Sequence, residues 1–312
     1  MKILAPVDHL EEVNKLIEAG ADELYAGFVP PEWEAKYTLV GSINKRGYKE
    51  AQFSQEADLK KAVEIAHQKN AAFLLTLNVN YYSEEQYEFA LKEVERAIDL
   101  GIDALIVTDI GLILKIRKEG FPIPLKISVA SGVLNPAVVR FYRKLRIESV
   151  VLDRTLSVDE IGEIIESSEG ISFDVFVMLG LCPNIESFCS FAHYKTDISG
   201  MPCVEGYSFD FTNKATANHE RWKNLERLRG CGLCALYDFK HLGVGSLKIV
   251  GRGFPTPVKL KAIEALSFLR KLLEDNPNIT REDFLKEAQS AHKKIQGQDC
   301  NPYCYHPYFS KI

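Results

Sequence analysis

Apolar residues fall in two rhythms along this chain. Short, nearly continuous apolar runs lie near residues 2–6, 23–27, 72–78, 104–109, 125–131, 149–154, 173–179 and 246–250. Runs of that length, without alternation, predict strands buried on both faces. Between most of them the apolar positions recur with helical spacing, which predicts amphipathic helices covering the strands. Two of these helices have marked starts. Ser83 with Gln86, and Ser157 with Glu160, show the three-residue spacing of a capping box, in which each side chain satisfies a backbone N–H at the helix start.

One short pattern recurs where a helix hands over to a strand. It reads Glu18-Ala-Gly-Ala-Asp-Glu-Leu-Tyr25, then Asp99-Leu-Gly-Ile-Asp-Ala-Leu-Ile106, then Lys144-Leu-Arg-Ile-Glu-Ser-Val-Val151 and Lys240-His-Leu-Gly-Val-Gly-Ser-Leu-Lys248. Glycine just past a helix takes the left-handed conformation that ends it, and the next apolar residue opens the strand. Eight strands alternating with helices predict a closed (β/α)8 TIM-barrel-like α/β fold, with an open doubly wound parallel sheet as the alternative. Residues 28–55 and 180–218 interrupt the rhythm. Both follow strands, so a barrel places both over its carboxyl-end face, where barrel active sites are built. The expected organisation is one barrel over residues 1–255, including a cysteine-rich loop at 180–234 after strand seven. Two helices (about 257–275 and 280–296) and a tail then pack on it in residues 256–312.

Composition adds little until the cysteines. The 46% hydrophobic content supports a full core, and the net charge of −5 excludes an extensive basic face for nucleic acid, though not a local one. The apolar start Met1-Lys-Ile-Leu-Ala-Pro-Val-Asp8 is too short for a signal peptide, and no run is long enough for a membrane span. Seven cysteines without a secretion signal point to thiolates in a cytoplasmic protein. Five of the seven crowd one stretch: Cys182, Cys189 and Cys203, then Cys231 and Cys234 in Arg229-Gly-Cys-Gly-Leu-Cys-Ala235. The stretch begins where Phe173-Asp-Val-Phe-Val-Met-Leu179, a predicted core strand, ends. Converging thiolates suit an iron–sulfur cluster or a tetrahedral zinc; Cys231 and Cys234 with Cys189 and Cys203 satisfy zinc equally well. Inert buried thiols are the plain alternative.

Other candidates are weighed against simpler roles. Asn78, Asp109, Arg154 and Arg252 fall at predicted strand ends, where they would meet a ligand. The two arginines suit a carboxylate or phosphate, or an internal ion pair with Asp109 or Asp153. Lys248 lies mid-strand, where a buried ammonium should have a carboxylate partner. Cys300 and Cys304, in Cys300-Asn-Pro-Tyr-Cys-Tyr-His-Pro-Tyr308, either close over the barrel mouth as further ligands or a redox pair, or belong to a packing strap. The basic stretch from Lys214 to Arg229 around Trp222 suits RNA phosphate and base stacking, but Glu220 and Glu226 make it read better as a solvated helix. For a peptidase the chain carries no HExxH or GxSxG, and among its seven histidines only His193 sits in the cysteine loop.

Several of these segments together resemble the U32 peptidase (collagenase-like protease) family over roughly residues 1–255. They are Leu4-Ala-Pro6, Gly20-Ala-Asp-Glu-Leu-Tyr-Ala-Gly27, Thr76-Leu-Asn78, Val150-Val-Leu-Asp-Arg154, Gly180-Leu-Cys182 with Cys189, and Leu247-Lys-Ile-Val-Gly-Arg252. The resemblance implies a barrel and a four-iron, four-sulfur cluster held by Cys182, Cys189, Cys203 and Cys234, with Cys231, Cys300 and Cys304 as alternates. It also implies an enzyme of the oxygen-independent hydroxylase type, acting on a small aromatic or quinone precursor or on an RNA base. Small size and the lack of an added RNA-binding domain favour the small molecule. Alternative readings are a collagenase-like peptidase, or a non-catalytic partner of another family member carrying a structural cluster or zinc. A homo- or hetero-oligomer with such a member is compatible with all of these. Three positions depart from the family pattern: Val250 replaces a glutamate, Leu179 a histidine, and Ser128-Val-Ala-Ser131 a Ser-x-Gln.

Overall fold

A computed structural model describes residues 1–38, 42–180, 182, 185–189, 230–297, 299–300 and 304–306. Eight strands close a barrel in chain order, every neighbouring pair parallel and the eighth returning to the first. They are β1 (Lys2–Pro6), β2 (Glu23–Ala26), β3 (Ala72–Leu77), β4 (Ala104–Val107), β5 (Leu125–Ile127), β6 (Ser149–Val151), β7 (Ser172–Met178) and β8 (Ser246–Ile249). The open-sheet alternative is thereby set aside. The helices are α1 (Leu10–Glu18), α2 (Pro31–Tyr37), α3 (Glu56–Gln68), α4 (Glu84–Asp99), α5 (Ile110–Glu119), α6 (Pro136–Lys144), α7 (Val158–Glu166), α8 (Leu236–Leu242), α9 (Thr256–Asp275) and α10 (Arg281–Gln296).

Local chemistry explains the boundaries. Both capping boxes form, Ser83 with Gln86 and Ser157 with Glu160. At all four recurring turns the residue ending the helix has positive φ: Gly20, Gly101, Gly243 and, without glycine, Arg146. Three strands end two or more residues before their apolar runs do. The Asp109 carboxylate accepts the Leu112 N–H and starts α5, the Ser128 hydroxyl accepts the Ala130 N–H, and the Asp153 carboxylate accepts the Thr155 N–H. Each side-chain acceptor offers the backbone a turn in place of the next ladder bond.

Strand residues facing the helices, such as Ile3, Leu75, Val107 and Val177, join the main apolar core. The inward face is different. Leu4, Tyr25, Leu74 and Ile106 form a small apolar cluster inside the barrel. Beside it Lys126 pairs with Asp174 at 2.6 Å and with Glu23 at 3.4 Å, both carboxylates buried. Ser246 and Ser149 donate to the same two acids. Alternate residues on a strand share a face, so Tyr25, Phe176 and Lys248 stand one step above Glu23, Asp174 and Ser246, toward the carboxyl ends. The last helices complete the shell: α9 packs on β1, β8 and α1, and α10 packs on α9 and on the Leu233–Ala235 turn. No helix among the described residues is long and apolar enough to cross a membrane.

Candidate functional site

A cavity of about 60 Å3 opens at the carboxyl ends of the strands. That is room for about four to six waters, or for one flat ring. Its floor and one wall come from the strands (Tyr25, Thr76, Phe176 and Lys248) and from residues just past their ends (Asn78, Ser128 and Arg252). Lys45 and Arg46 come from the long β2–α3 connection, and Arg154 and Glu186 from beyond β6 and β7. Five basic groups therefore face a single carboxylate.

The arginines are held from behind. Arg252 donates to Thr76 Oγ1 at 2.9 Å and to the Asn44 carbonyl at 2.7 Å, and has no carboxylate partner among the described residues. Burial, with Arg46 nearby, lowers its pKa to about 10. Gly27 makes its approach possible, since a Cβ there would lie 2.4 Å from Arg252 Nη1. Asn44 exchanges hydrogen bonds with Gln52, and Gln52 Nε2 also donates to the Arg46 carbonyl, so the loop carrying Lys45 and Arg46 is tied down. Arg154 donates to the Gly180 carbonyl and to Glu186 Oε1 at 2.6 Å, with its guanidinium 4.2 Å from the Phe176 ring centre. Burial works against that charge, but Glu186 together with Tyr305, Cys182 and Asp153 outweighs it and the pKa rises. The expected pairing of an arginine with Asp109 or Asp153 is replaced by Arg154 with Glu186, which the loop after β7 brings in.

Lys248 corrects a second expectation. Its buried Nζ has no hydrogen-bonding partner, because Asp174, the nearest inward carboxylate, is engaged by Lys126. It sits instead 3.5 Å from the Tyr25 ring centre. Burial, reinforced by Lys126, pushes its pKa well below the usual lysine range. The Tyr25 hydroxyl donates to the Ile249 carbonyl, and burial raises its pKa. Asn78 also lines the cavity: its Nδ2 donates to Ser128 Oγ at 3.3 Å while Oδ1 is buried and unpartnered. Arg154 Nε and Arg46 Nε are unpartnered too. Four orphan polar atoms, on Asn78, Lys248, Arg154 and Arg46, thus surround one small space. Asp109 is not among the lining residues; it caps α5 and accepts the Tyr87 hydroxyl.

The cysteines separate into two groups. Cys182 and Cys189 are half-buried on the loop leaving β7, near enough to Lys45 for their charges to favour its protonation, though burial dominates and lowers its pKa. Cys231, Cys234, Cys300 and Cys304 line a different, smaller cavity. Burial raises the pKa of Cys231, and that of Cys234 to about 12. None of the six described cysteines lines the mouth cavity, and Cys234, the fourth ligand implied by the family resemblance, lines the smaller one with Cys231, Cys300 and Cys304. Cys203, His193 and residues 214–229 lie outside the described residues. None of the six described cysteines is joined in a disulfide.

Lys45 and Arg46 are functional candidates that sequence reasoning passed over. The signal was present: the interruption at 28–55 was placed over the mouth, and these are adjacent basic residues within it.

The sequence profile of Peptidase family U32 matches residues 8–308. The chain belongs to this family. Among relatives, the tRNA hydroxylation protein P of Haemophilus influenzae is 29% identical over 213 residues, covering 67% of this chain and 43% of that protein. The 23S rRNA 5-hydroxycytidine synthase of Escherichia coli is 26% identical over 262 residues, covering 81% of this chain and 36% of that protein. The chain thus spans less than half the length of these relatives. A solved U32 peptidase structure superposes with a TM-score of 0.53 at 13% identity, over 82% of this chain and 94% of that one, which supports the barrel.

Proposed function

We propose that this U32 protein is an enzyme that takes part in hydroxylating a base in RNA, with the mouth cavity as the site that receives the base. The carrying observation is the cavity itself. Its walls combine four orphan polar atoms and an excess of four basic groups with an apolar face of Ile106, Val151, Phe176 and Val250. A flat heteroaromatic ring has this same mixture of polar edge and apolar face, and a cationic rim suits the phosphates on either side of it. The names of the two relatives above favour an RNA base over the small molecule that chain length had favoured.

The residues would divide the work as follows. Phe176 and the valines hold the ring, while Asn78 and Ser128 read its edge. Arg46, Arg154 and Arg252 hold anionic groups of the substrate or of the oxygen donor. Replacing a ring C–H by C–OH releases a proton from that carbon, and the donor must accept two electrons as it delivers oxygen. Lys248, whose amine burial keeps neutral more readily than an ordinary lysine, is placed to take that proton. As the resemblance implies, Cys182, Cys189 and Cys203 would serve as ligands of an iron–sulfur cluster, which would supply electron transfer or a binding point for the donor.

The test is to express the chain in a host lacking RNA-hydroxylating U32 proteins and to analyse digested RNA by mass spectrometry. A nucleoside gaining one oxygen, present with the native chain and absent with Lys248→Met or Arg252→Met, is expected. RNA without any such nucleoside in the presence of folded native protein would sink this reading.

A further inference from the structure

Among the described residues, two large apolar side chains stand out for their exposure. Phe188 is 80% exposed and Tyr81 73%, against 50% or less for every other. Both belong to the carboxyl-end face of the barrel. Tyr81 lies between β3 and α4, and Phe188 closes the Glu186–Phe188 turn after β7. Both segments are tied down. The Tyr82 hydroxyl donates to the Ile43 carbonyl at 2.9 Å, and its buried ring packs edge-on against Trp33. Asn80 Nδ2 donates to the Ser187 carbonyl at 3.4 Å, and Lys45 Nζ donates to Asn80 Oδ1 at 2.8 Å and to the Glu186 carbonyl at 3.5 Å. The Glu186 carboxylate is held by Arg154, and the turn packs against the Val129–Ser131 turn. Asn80 and Ser187 thus join two anchored segments, and in each the next residue presents an aromatic ring to solvent.

A single exposed apolar side chain needs no explanation. A pair on joined segments does, because ordering that backbone costs entropy that these exposed rings do not return by burial. Three observations choose the occupant. Lys45, Arg46 and Glu186, on or beside the same segments, line the mouth cavity, so the rings stand at its rim, while neither ring is itself among the lining residues. A base that enters the cavity must leave its stack, and the bases on either side lose a neighbour. An aromatic ring replaces that neighbour whatever the base, because every base has a flat face. The adjacent Lys45 and Arg46 suit the phosphates between those bases. Resting on the RNA reading of the mouth cavity, we propose that Tyr81 and Phe188 are stacking platforms for the nucleotides that flank the received base. The RNA bound there is a single-stranded segment, since paired bases in a duplex keep their faces covered. The rings act in binding and leave the chemistry to the cavity.

The experiment measures binding of the full chain to a fluorescently labelled, mixed-sequence single-stranded RNA oligonucleotide by anisotropy, with its duplex for comparison. The native chain should bind the single strand more tightly than the duplex. Tyr81→Ala and Phe188→Ala should each weaken that binding about 5- to 100-fold, with its salt dependence unchanged, since stacking releases no counterions. Both side chains are exposed, so truncation leaves folding intact. Tyr81→Phe and Phe188→Tyr, which keep an aromatic face, should retain the binding. So should Phe268→Ala, at a half-exposed residue in a groove between α9 and α10. Alanine variants at 81 and 188 that bind like the native chain overturn the proposal, as do a duplex bound as tightly as the single strand, or no RNA binding at all. A dimer in sedimentation that dissolves in either alanine variant also overturns it, by giving the rings to a second copy. The hydroxylation reading fails separately. Ring-dependent binding without any hydroxylated nucleoside sinks that reading and leaves the rings as an RNA surface, whereas hydroxylation with undiminished binding in the alanine variants sinks the platforms alone.

Discussion

Glu93 on α4 is 1% exposed, with Oε2 unpartnered and Arg96 3.4 Å from Oε1. Burial raises its pKa to about 7 from the ordinary 4.5; Arg96 opposes the rise and Glu32 and Glu56 add to it. A raised folded-state pKa means the folded chain holds the proton more tightly than the unfolded one. Its contribution is therefore present below the unfolded value and lost as pH rises through about 7. Glu93→Gln cannot ionise, so it should be more stable than the native chain by roughly 2–3 kcal/mol at about pH 8, with little difference at about pH 5. Urea unfolding at the two pH values checks this; an equal difference at both would mean the side chain acts through packing instead.

The turn that ends β7 does more than connect. Leu179 and Gly180 both have positive φ, at 62° and 54°, and they aim the chain toward Cys182. A Cβ on Gly180 would fall 2.2 Å from Val250 Cγ1, and Val250 lines the mouth cavity. Gly180→Ala should cost about 2–4 kcal/mol, from left-handed strain plus overpacking, and push Val250 into the cavity. Gly243, also left-handed, has nothing within 4 Å of such a Cβ, so Gly243→Ala should cost only about 1–2 kcal/mol. Thermal unfolding of the two variants side by side separates strain from crowding: equal losses would remove the crowding at Val250.

Barrel closure is a property of the whole chain, because β1 must find β8 across most of its length. A buried ionic knot secures that seam. Lys259 on α9, fully buried, contacts Asp8 Oδ2 at 2.5 Å and Glu12 Oε1 at 2.7 Å, and the Gly253 N–H donates to Asp8 Oδ2 at 2.7 Å. The knot thus joins both chain ends of the barrel and the loop carrying Arg252. Lys259→Met would leave two buried carboxylates facing each other and should cost about 3–5 kcal/mol. Denaturant unfolding measures the loss, and a change below about 1 kcal/mol would show the carboxylates finding water or protons cheaply.

Strand and helix order, the capping boxes, the left-handed turns and the family were legible from the sequence, because each rests on contacts between residues close along the chain or on motifs read in order. Asn78, Arg154 and Arg252 were also legible as mouth residues, since the end of a parallel strand in a closed barrel has one place to be. What faces what across the barrel was not. Lys126 rather than Lys248 takes Asp174, Glu186 rather than Asp109 or Asp153 takes Arg154, and Cys234 turns to Cys231, Cys300 and Cys304. Apart from the neighbouring Cys231, those partners are tens of residues away, and a side chain's choice among them depends on register and loop path, which exist only once the barrel has closed.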